Sequence, residues 1–436
     1  MDRTIYRKLL EWKNDFNRKP LILFGARQVG KTWLLKEFGK NEYENLAYIN
    51  CDNNKTIENA FEDYDTERII RALAAFTKKK IEPGKTLIFL DEIQEIPKAL
   101  TSLKYFQEDA PEYHIVVAGS LLGIKVHEGT GFPVGKVDEI ELYPMSFREF
   151  MLAMGEEELC KYMDDYSCKD ISILRGKLTE LLRQYYYVGG MPEIVEAYSK
   201  KKDINKVRTM QKKILADYKA DFSKHVPDDL LPKVNLVWDS IPSQLAKENK
   251  KFIYGAIKKG ARAKEYENAI QWLLDAGLVH KVNRVSKIEM PLKFYEDRAA
   301  FKLFMVDLGL MGALADASAS DVLIGDNGFK EYKGAFTEQF VAQTLITEGI
   351  EPCYYTKESS RLEVDFVVQH DKVYPIEVKA EENLKSKSLK TVVNGNDDLF
   401  GWRFSMSDYR EQEWMVNVPL YEVQEWIRKR IKVMGE

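Results

Sequence analysis

The sequence predicts an α/β fold: a parallel sheet covered by helices on both faces, then a helical region, then a smaller α/β domain. Three observations carry this. Short apolar runs alternate with helical patterns through the first 155 or so residues, the pattern of a parallel sheet flanked by helices. A Gly-rich turn, Phe24-Gly25-Ala26-Arg27-Gln28-Val29-Gly30-Lys31-Thr32, separates the first apolar run from the first helical stretch. Strand patterns return beyond residue 290, where an apolar run holds an aspartate in its middle.

The bulk properties narrow the classes. A chain of 436 residues has room for two or three domains. Hydrophobic residues make up 45% and charged residues 31%, a soluble globular composition. A net charge of −4 gives no general attraction to nucleic acid, so any DNA contact must come from a local patch. Cys51, Cys160, Cys168 and Cys353 form no C-x-x-C pair and accompany no histidine cluster. They read as free thiols in a reducing cytosol. Residues 1–14 form a charged amphipathic pattern without a signal-peptide core, and no apolar run approaches the length of a membrane span. A cytoplasmic protein with no membrane partner is expected.

Taken in order, Leu21–Phe24 reads as the first strand and Trp33–Phe38 as the helix after the turn. Strand, Gly-rich turn and helix together are the context that G-x-x-x-x-G-K-T requires of a phosphate-binding loop. Gly25 and Gly30 permit backbone angles that a side chain would penalise. The backbone N–H groups of Ala26, Arg27, Gln28 and Val29 then face an anion at a helix N-terminus, where the dipole adds a favourable field. Lys31 is placed for the β- and γ-phosphates and Thr32 for Mg2+. Ala47–Asn50 is the second strand, Glu67–Lys78 a helix, Thr86–Leu90 a buried strand, Leu100–Gln107 a helix and His114–Ala118 the next strand. The third strand runs into Asp91-Glu92. Ligands of parallel sheets sit at the carboxyl ends of the strands. Asp91 there can hold the shell of Mg2+, and Glu92 can orient or deprotonate a water for attack on a γ-phosphate. Ser120, after Val116-Val117-Ala118-Gly119, is placed to sense that phosphate. The alternative for these residues is a solvated acidic turn and an ordinary Gly-Ser turn.

Gly-Ala-Arg-Gln-Val-Gly-Lys-Thr, then Asp91-Glu92-Ile93-Gln94, then Ala118-Gly119-Ser120, then Tyr143-Pro144-Met145-Ser146-Phe147-Arg148-Glu149-Phe150 occur in that order. The chain thereby resembles a prokaryotic family of AAA-type P-loop ATPases with a C-terminal domain of uncharacterised function. The resemblance implies ATP and Mg2+ as cofactors, Ser120 as the sensor residue, and a ring or dimer in which a neighbour lends an arginine. The family has a Gly-Arg pair where this chain has Gly135-Lys136. Lysine is a point charge without arginine's fork, so the finger role passes in question to Arg148, which reads as a helix-surface residue.

Residues 156–225 read as a helical lid: a polar stretch, then helices over Ile173–Tyr187, Glu193–Tyr198 and Asn205–Phe222. Val188-Gly189-Gly190-Met191-Pro192 reads as a C-cap with a proline stop. Arg175 and Arg183 are charges that a lid would bring toward phosphate or leave solvated. Residues 226–290 read as a winged-helix-like segment: a stretch from Leu230 broken by Pro232 and Pro242, a short helix at Tyr254–Lys259, a clear helix at Arg262–Ala276 and a wing strand from Leu278. Its lysines suit DNA contact, but Glu265, Glu267 and Asp275 on the would-be recognition helix favour a spacer or protein contact.

Residues 291–436 form the last domain. A helix over Ala335–Leu345 carries Glu338, a strand over Arg361–Val368 carries Asp365, and a strand over Val373–Lys379 carries Glu377 and Lys379 on one face. A helix over Leu384–Val393 follows, then strands over Gly401–Met406 and Glu413–Val418 and a last helix over Leu420–Ile431. Two acids and a lysine so placed suit a metal site beside an attacking water, and an inward carboxylate at Asp365 needs a partner. The set resembles the PD-(D/E)xK restriction-endonuclease-like superfamily, with Glu338 as the helix-borne acid; an ion-pair network is the alternative. Three functions follow as expectations: an ATP-driven switch acting on DNA or a protein partner, an ATP-dependent DNA-processing nuclease, or a nucleotide-stabilised scaffold without turnover.

Overall fold

The structure is a computed structural model and describes residues 2–119, 132–247, 250–324, 330–357, 362–380 and 386–432. The fold divides into two compact units. The first comprises Asp2–Tyr143 with Gln271–Leu278, and the second Pro144–Ile270 with Val279–Glu436.

The first unit is built on a five-stranded sheet. Its strands are β1 (Leu21–Phe24), β2 (Asn45–Asn50), β3 (Thr86–Asp91), β4 (His114–Ala118) and β5 (Asp138–Glu141), in the order β2-β3-β4-β1-β5. Every pairing is parallel. β3 and β4 are buried along their whole length, as strands covered on both faces must be, and they read accordingly as unbroken apolar runs. Ile22, Ile49, Leu73, Leu90, Leu103 and Val117 belong to one core. Helix Thr66–Thr77 shows how it is closed: Asp65 caps the N-terminus by accepting from the Arg68 N–H, and Ile69, Ile70 and Leu73 face inward.

The second unit combines helices with an eight-stranded mixed sheet. Its strands are β6 (Val279–Val285), β7 (Glu296–Met305), β8 (Cys353–Thr356), β9 (Glu363–Gln369), β10 (Val373–Lys379), β11 (Gly401–Ser405), β12 (Arg410–Gln412) and β13 (Met415–Pro419). They are ordered β12-β13-β11-β10-β9-β8-β6-β7. The strand read as a wing is therefore a member of this sheet: β6 pairs antiparallel with β7 and parallel with β8. Val279, Val282 and Val285 supply the burial that draws it in. Pro232 and Pro242 do not break their helix, which runs over Leu231–Leu245. Pro232 lies in the first turn, where its missing N–H has no partner to lose. Downstream of Pro242 the Ala246 N–H still reaches the Pro242 carbonyl at 3.0 Å, and buried Ile241, Gln244 and Leu245 hold the segment down.

The Tyr143–Phe150 motif has a structural explanation in part. Ser146 and Glu149 form a reciprocal capping box that starts helix Phe147–Ala153. Phe147 and Phe150 then pack on Tyr185. The Gly189-Gly190 turn wraps buried Asp307, which accepts from the Gly190 N–H at 2.7 Å and the Leu310 N–H at 2.9 Å. A Cβ on Gly189 would stand 2.3 Å from the Asp307 carboxylate, so the turn must be glycine there. All four cysteines are unpaired. Among the described residues no helix is long and apolar enough to cross a membrane.

Candidate functional site: a phosphate loop facing two acids

The loop leaves β1 at Gly25. A Cβ there would fall 2.2 Å from the Leu142 carbonyl oxygen, because the Leu142 N–H is bonded to Phe24 O at 2.8 Å and draws the two backbones together. Gln28 at φ 66° and Gly30 at φ 95° bend the loop through the left-handed region before the helix Lys31–Glu42 begins. Such successive turns make concavities suited to anions. Ala26 and Val29 are buried beneath the loop. Arg3 braces it from the N-terminal segment, donating to Val29 O at 3.0 Å and to Tyr143 O at 2.6 Å.

Lys31 Nζ is 2.8 Å from both Gly25 O and Ala26 O. Burial brings its pKa down to about 8, against the pull of Glu92 and Asp91. Asp91 closes β3 and is buried. Burial raises its pKa, with hydrogen bonds from the Thr32 and Tyr48 hydroxyls among the opposing causes. The Tyr48 hydroxyl lies 3.2 Å from Asp91 Oδ2, and Lys36 Nζ sits 3.6 Å from the Tyr48 ring centroid. Glu92, at φ 53° and ψ 45°, receives a hydrogen bond from Gln94 Nε2 at 2.6 Å.

Lys31, Thr32, Asp91 and Glu92 are thus gathered at one end of the sheet. Ser120 lies outside the described residues. Thr32 and Asp91 offer a hydroxyl and a carboxylate, the hard oxygen donors Mg2+ takes, and their mutual hydrogen bond shows that they meet. The donor set fits a Mg2+–nucleotide. Lys136 Nζ is 2.9 Å from Glu108 Oε1 on the surface. Arg148 is bound within its own unit, to Glu425 at 2.8 Å and Asp164 at 2.5 Å, and Arg175 to Asp408 at 3.1 Å.

The second candidate set also comes together, with company. Glu338, on helix Lys330–Thr347, is buried with Lys250 on Oε1 and Lys302 at 3.5 Å on Oε2. Lys302 reaches Glu363 at 2.8 Å as well. Burial alone would lower the Lys302 pKa, but Glu338 and Glu363 more than reverse this. Burial would likewise raise Glu338, and the two lysines overcome it. Asp365 accepts from the Val378 N–H at 2.7 Å. Burial, reinforced by Glu338, pushes its pKa up to about 7. Glu377 meets Lys379 at 2.9 Å through Oε1, while buried Oε2 has no hydrogen-bond partner among the described residues. Among the described residues no three His, Cys, Asp or Glu side chains are grouped to hold a metal.

Sequence reasoning gave no site role to Tyr48, Lys302 and Glu363, took Gln94 only as part of a motif, and took Lys250 only as part of a basic stretch. Lys302 had a signal: it is a lone charge inside Ala299-Ala300-Phe301-Lys302-Leu303-Phe304-Met305, as uncomfortable there as Asp365 is in its own strand.

Comparison with known proteins agrees with the first unit's reading. Residues 17–151 match the family of AAA domains. Residues 179–321 and 333–422 match two families described as domains of unknown function, DUF8612 and DUF4143. No curated protein matches the chain. Similar solved structures include a Walker-type ATPase of Pyrococcus abyssi, at 14% identity over 72% of this chain and 95% of that one, with a TM-score of 0.46. The Orc1 protein of Aeropyrum pernix in complex with DNA matches at 14% identity over 72% and 91%, TM-score 0.27. The RuvB Holliday junction branch migration motor of Thermotoga maritima matches at 15% identity over 64% and 89%, TM-score 0.28. Residues 17–151 are thus similar to AAA domains, and they lie on the parallel sheet that carries the phosphate loop.

Proposed function

We propose that the chain is a Mg2+-dependent ATPase that works as a nucleotide-driven switch on DNA or a protein partner. One observation carries the reading: the phosphate loop holds Lys31 Nζ at 2.8 Å from Gly25 O and Ala26 O, and Asp91, which ends β3 of the same parallel sheet, is hydrogen-bonded to Thr32. Phosphate, metal and water positions therefore have their residues around one point. Lys31 and the loop from Gly25 to Gly30 bind the phosphates, while Thr32 and Asp91 hold Mg2+. The ion supplies charge neutralisation of the phosphoryl oxygens. Glu92 accepts a proton from, or orients, the attacking water, and Ser120 contacts the γ-phosphate.

The second unit is the recipient of the nucleotide cycle rather than a cutting enzyme in this reading. Both oxygens of Glu338 are engaged by lysines, which favours an ion-pair network over a metal-dependent nuclease. The winged-helix and restriction-endonuclease-like assignments of residues 226–290 and 291–436 remain part of the proposal. So does a homo-oligomer, though Lys136 and Arg148 are each already paired.

Lys31→Ala is expected to abolish ATP binding, and Glu92→Gln to keep binding while losing at least about a hundredfold in turnover. Equilibrium binding and phosphate release measure the two. Undiminished turnover in Glu92→Gln would sink the base assignment.

A further inference from the structure

We propose that Gln94 is the positioning residue that fixes the Glu92 carboxylate for its task on the attacking water. The proposal rests on the ATPase reading and deepens it. Glu92 occupies the left-handed region at φ 53° and ψ 45° without being glycine. Such a backbone persists only where its surroundings over-determine it. Gln94 is part of those surroundings. It sits in the single 3-10 turn Ile93–Glu95 that follows β3, and it is 7% exposed. Its Nε2 donates to Glu92 Oε2 at 2.6 Å. The amide orientation follows from chemistry, since a carboxylate accepts and only the NH2 side of an amide donates.

The neighbouring strand makes room for this arrangement. Gly119 immediately follows β4, and a Cβ built on it would stand 2.3 Å from Gln94 Oε1. Any side chain at 119 would therefore displace the amide. Gln94, with Gly119 packed against its amide, thus holds one oxygen of the Glu92 carboxylate, whose charge Lys31 feels. A neutral amide suits the task. It fixes the carboxylate by a hydrogen bond without neutralising it, which a lysine or arginine in its place would do.

Gln94→Met keeps length and bulk and removes the amide, and with it the hydrogen bond to Glu92. The first test is a double-mutant cycle with Glu92→Ala, read as urea unfolding midpoints of the nucleotide-free protein. Non-additive shifts are expected, because each substitution removes the same hydrogen bond. The second is steady-state turnover against ATP affinity. Gln94→Met is expected to lose at least about tenfold in kcat with ATP affinity retained. Gly119→Ala, should Gln94→Met fold poorly, is expected to give the same split. Additive midpoints, or a kcat for Gln94→Met equal to that of the wild type, overturn the proposal alone. A wild type without turnover overturns the ATPase reading together with it.

Discussion

At the scale of single residues, Lys31 has the most direct consequence. Its ammonium is buried against two loop carbonyls and stands near pKa 8 before any ligand arrives. A polyphosphate beside it favours the charged form, so binding raises that value. The sign follows: above about pH 8 binding takes up a proton and affinity falls as pH rises, whereas near pH 7 Lys31 is already charged. Binding calorimetry at about pH 8.5 in two buffers of different ionisation heat is expected to show uptake approaching one proton, shrinking toward pH 7. Equal, buffer-independent heats at both would refute it. The residues of this site were legible where local spacing dictates chemistry, as in the phosphate loop and the acids ending an apolar strand. Tyr48 was not, because it reaches Asp91 across the sheet: β2 lies beside β3 with Asn50 opposite Asp91. Nothing in the local sequence states which strands are neighbours.

At the scale of elements, β7 explains what the sequence concealed in the second unit. The run that forms it buries Lys302 completely, and a lysine inside an apolar strand hid both the strand and the partner of Glu338. β9, β10 and the helix bearing Glu338 were readable from their own periodicity, and their acids were expected in one place. What could not be read was that Lys250 and Lys302, distant in sequence, fill the space between them. Asp365 in β9 tests the resulting electrostatics. Its folded pKa, raised to about 7 by burial first and Glu338 next, lies above the unfolded value. The stability it contributes is therefore present at about pH 4 and is lost as pH climbs toward 7. Asn at this position does not titrate. Asp365→Asn should thus gain on the wild type by up to about 1.4 kcal/mol per pH unit across that window. Urea unfolding at a series of pH values reads the difference, and parallel curves for the two proteins would contradict it.

At the scale of the whole molecule, the two units each possess a core, and only the first carries the phosphate loop. Expectation placed a helical lid and a winged-helix segment between two sheets. In the structure the helices from Phe147 to Leu245 and the strand from Val279 fall in one compact unit with the C-terminal sheet. A domain border of this kind is set by long-range burial, which composition along the chain does not reveal. Separate cores imply separate thermal transitions, and a ligand stabilises only what it binds. At about a hundredfold excess over Kd, ATP with Mg2+ adds about 2.7 kcal/mol to the unit that holds it. For a unit of about 150 residues that is an upward shift of about 5–10 °C. Scanning calorimetry should therefore show two transitions, one rising with nucleotide and the other unmoved. Lys31→Ala should leave both where they were. A single transition, or two that rise together, would mean that the cores are coupled already in the absence of any partner, and the switch would then have to act through that coupling.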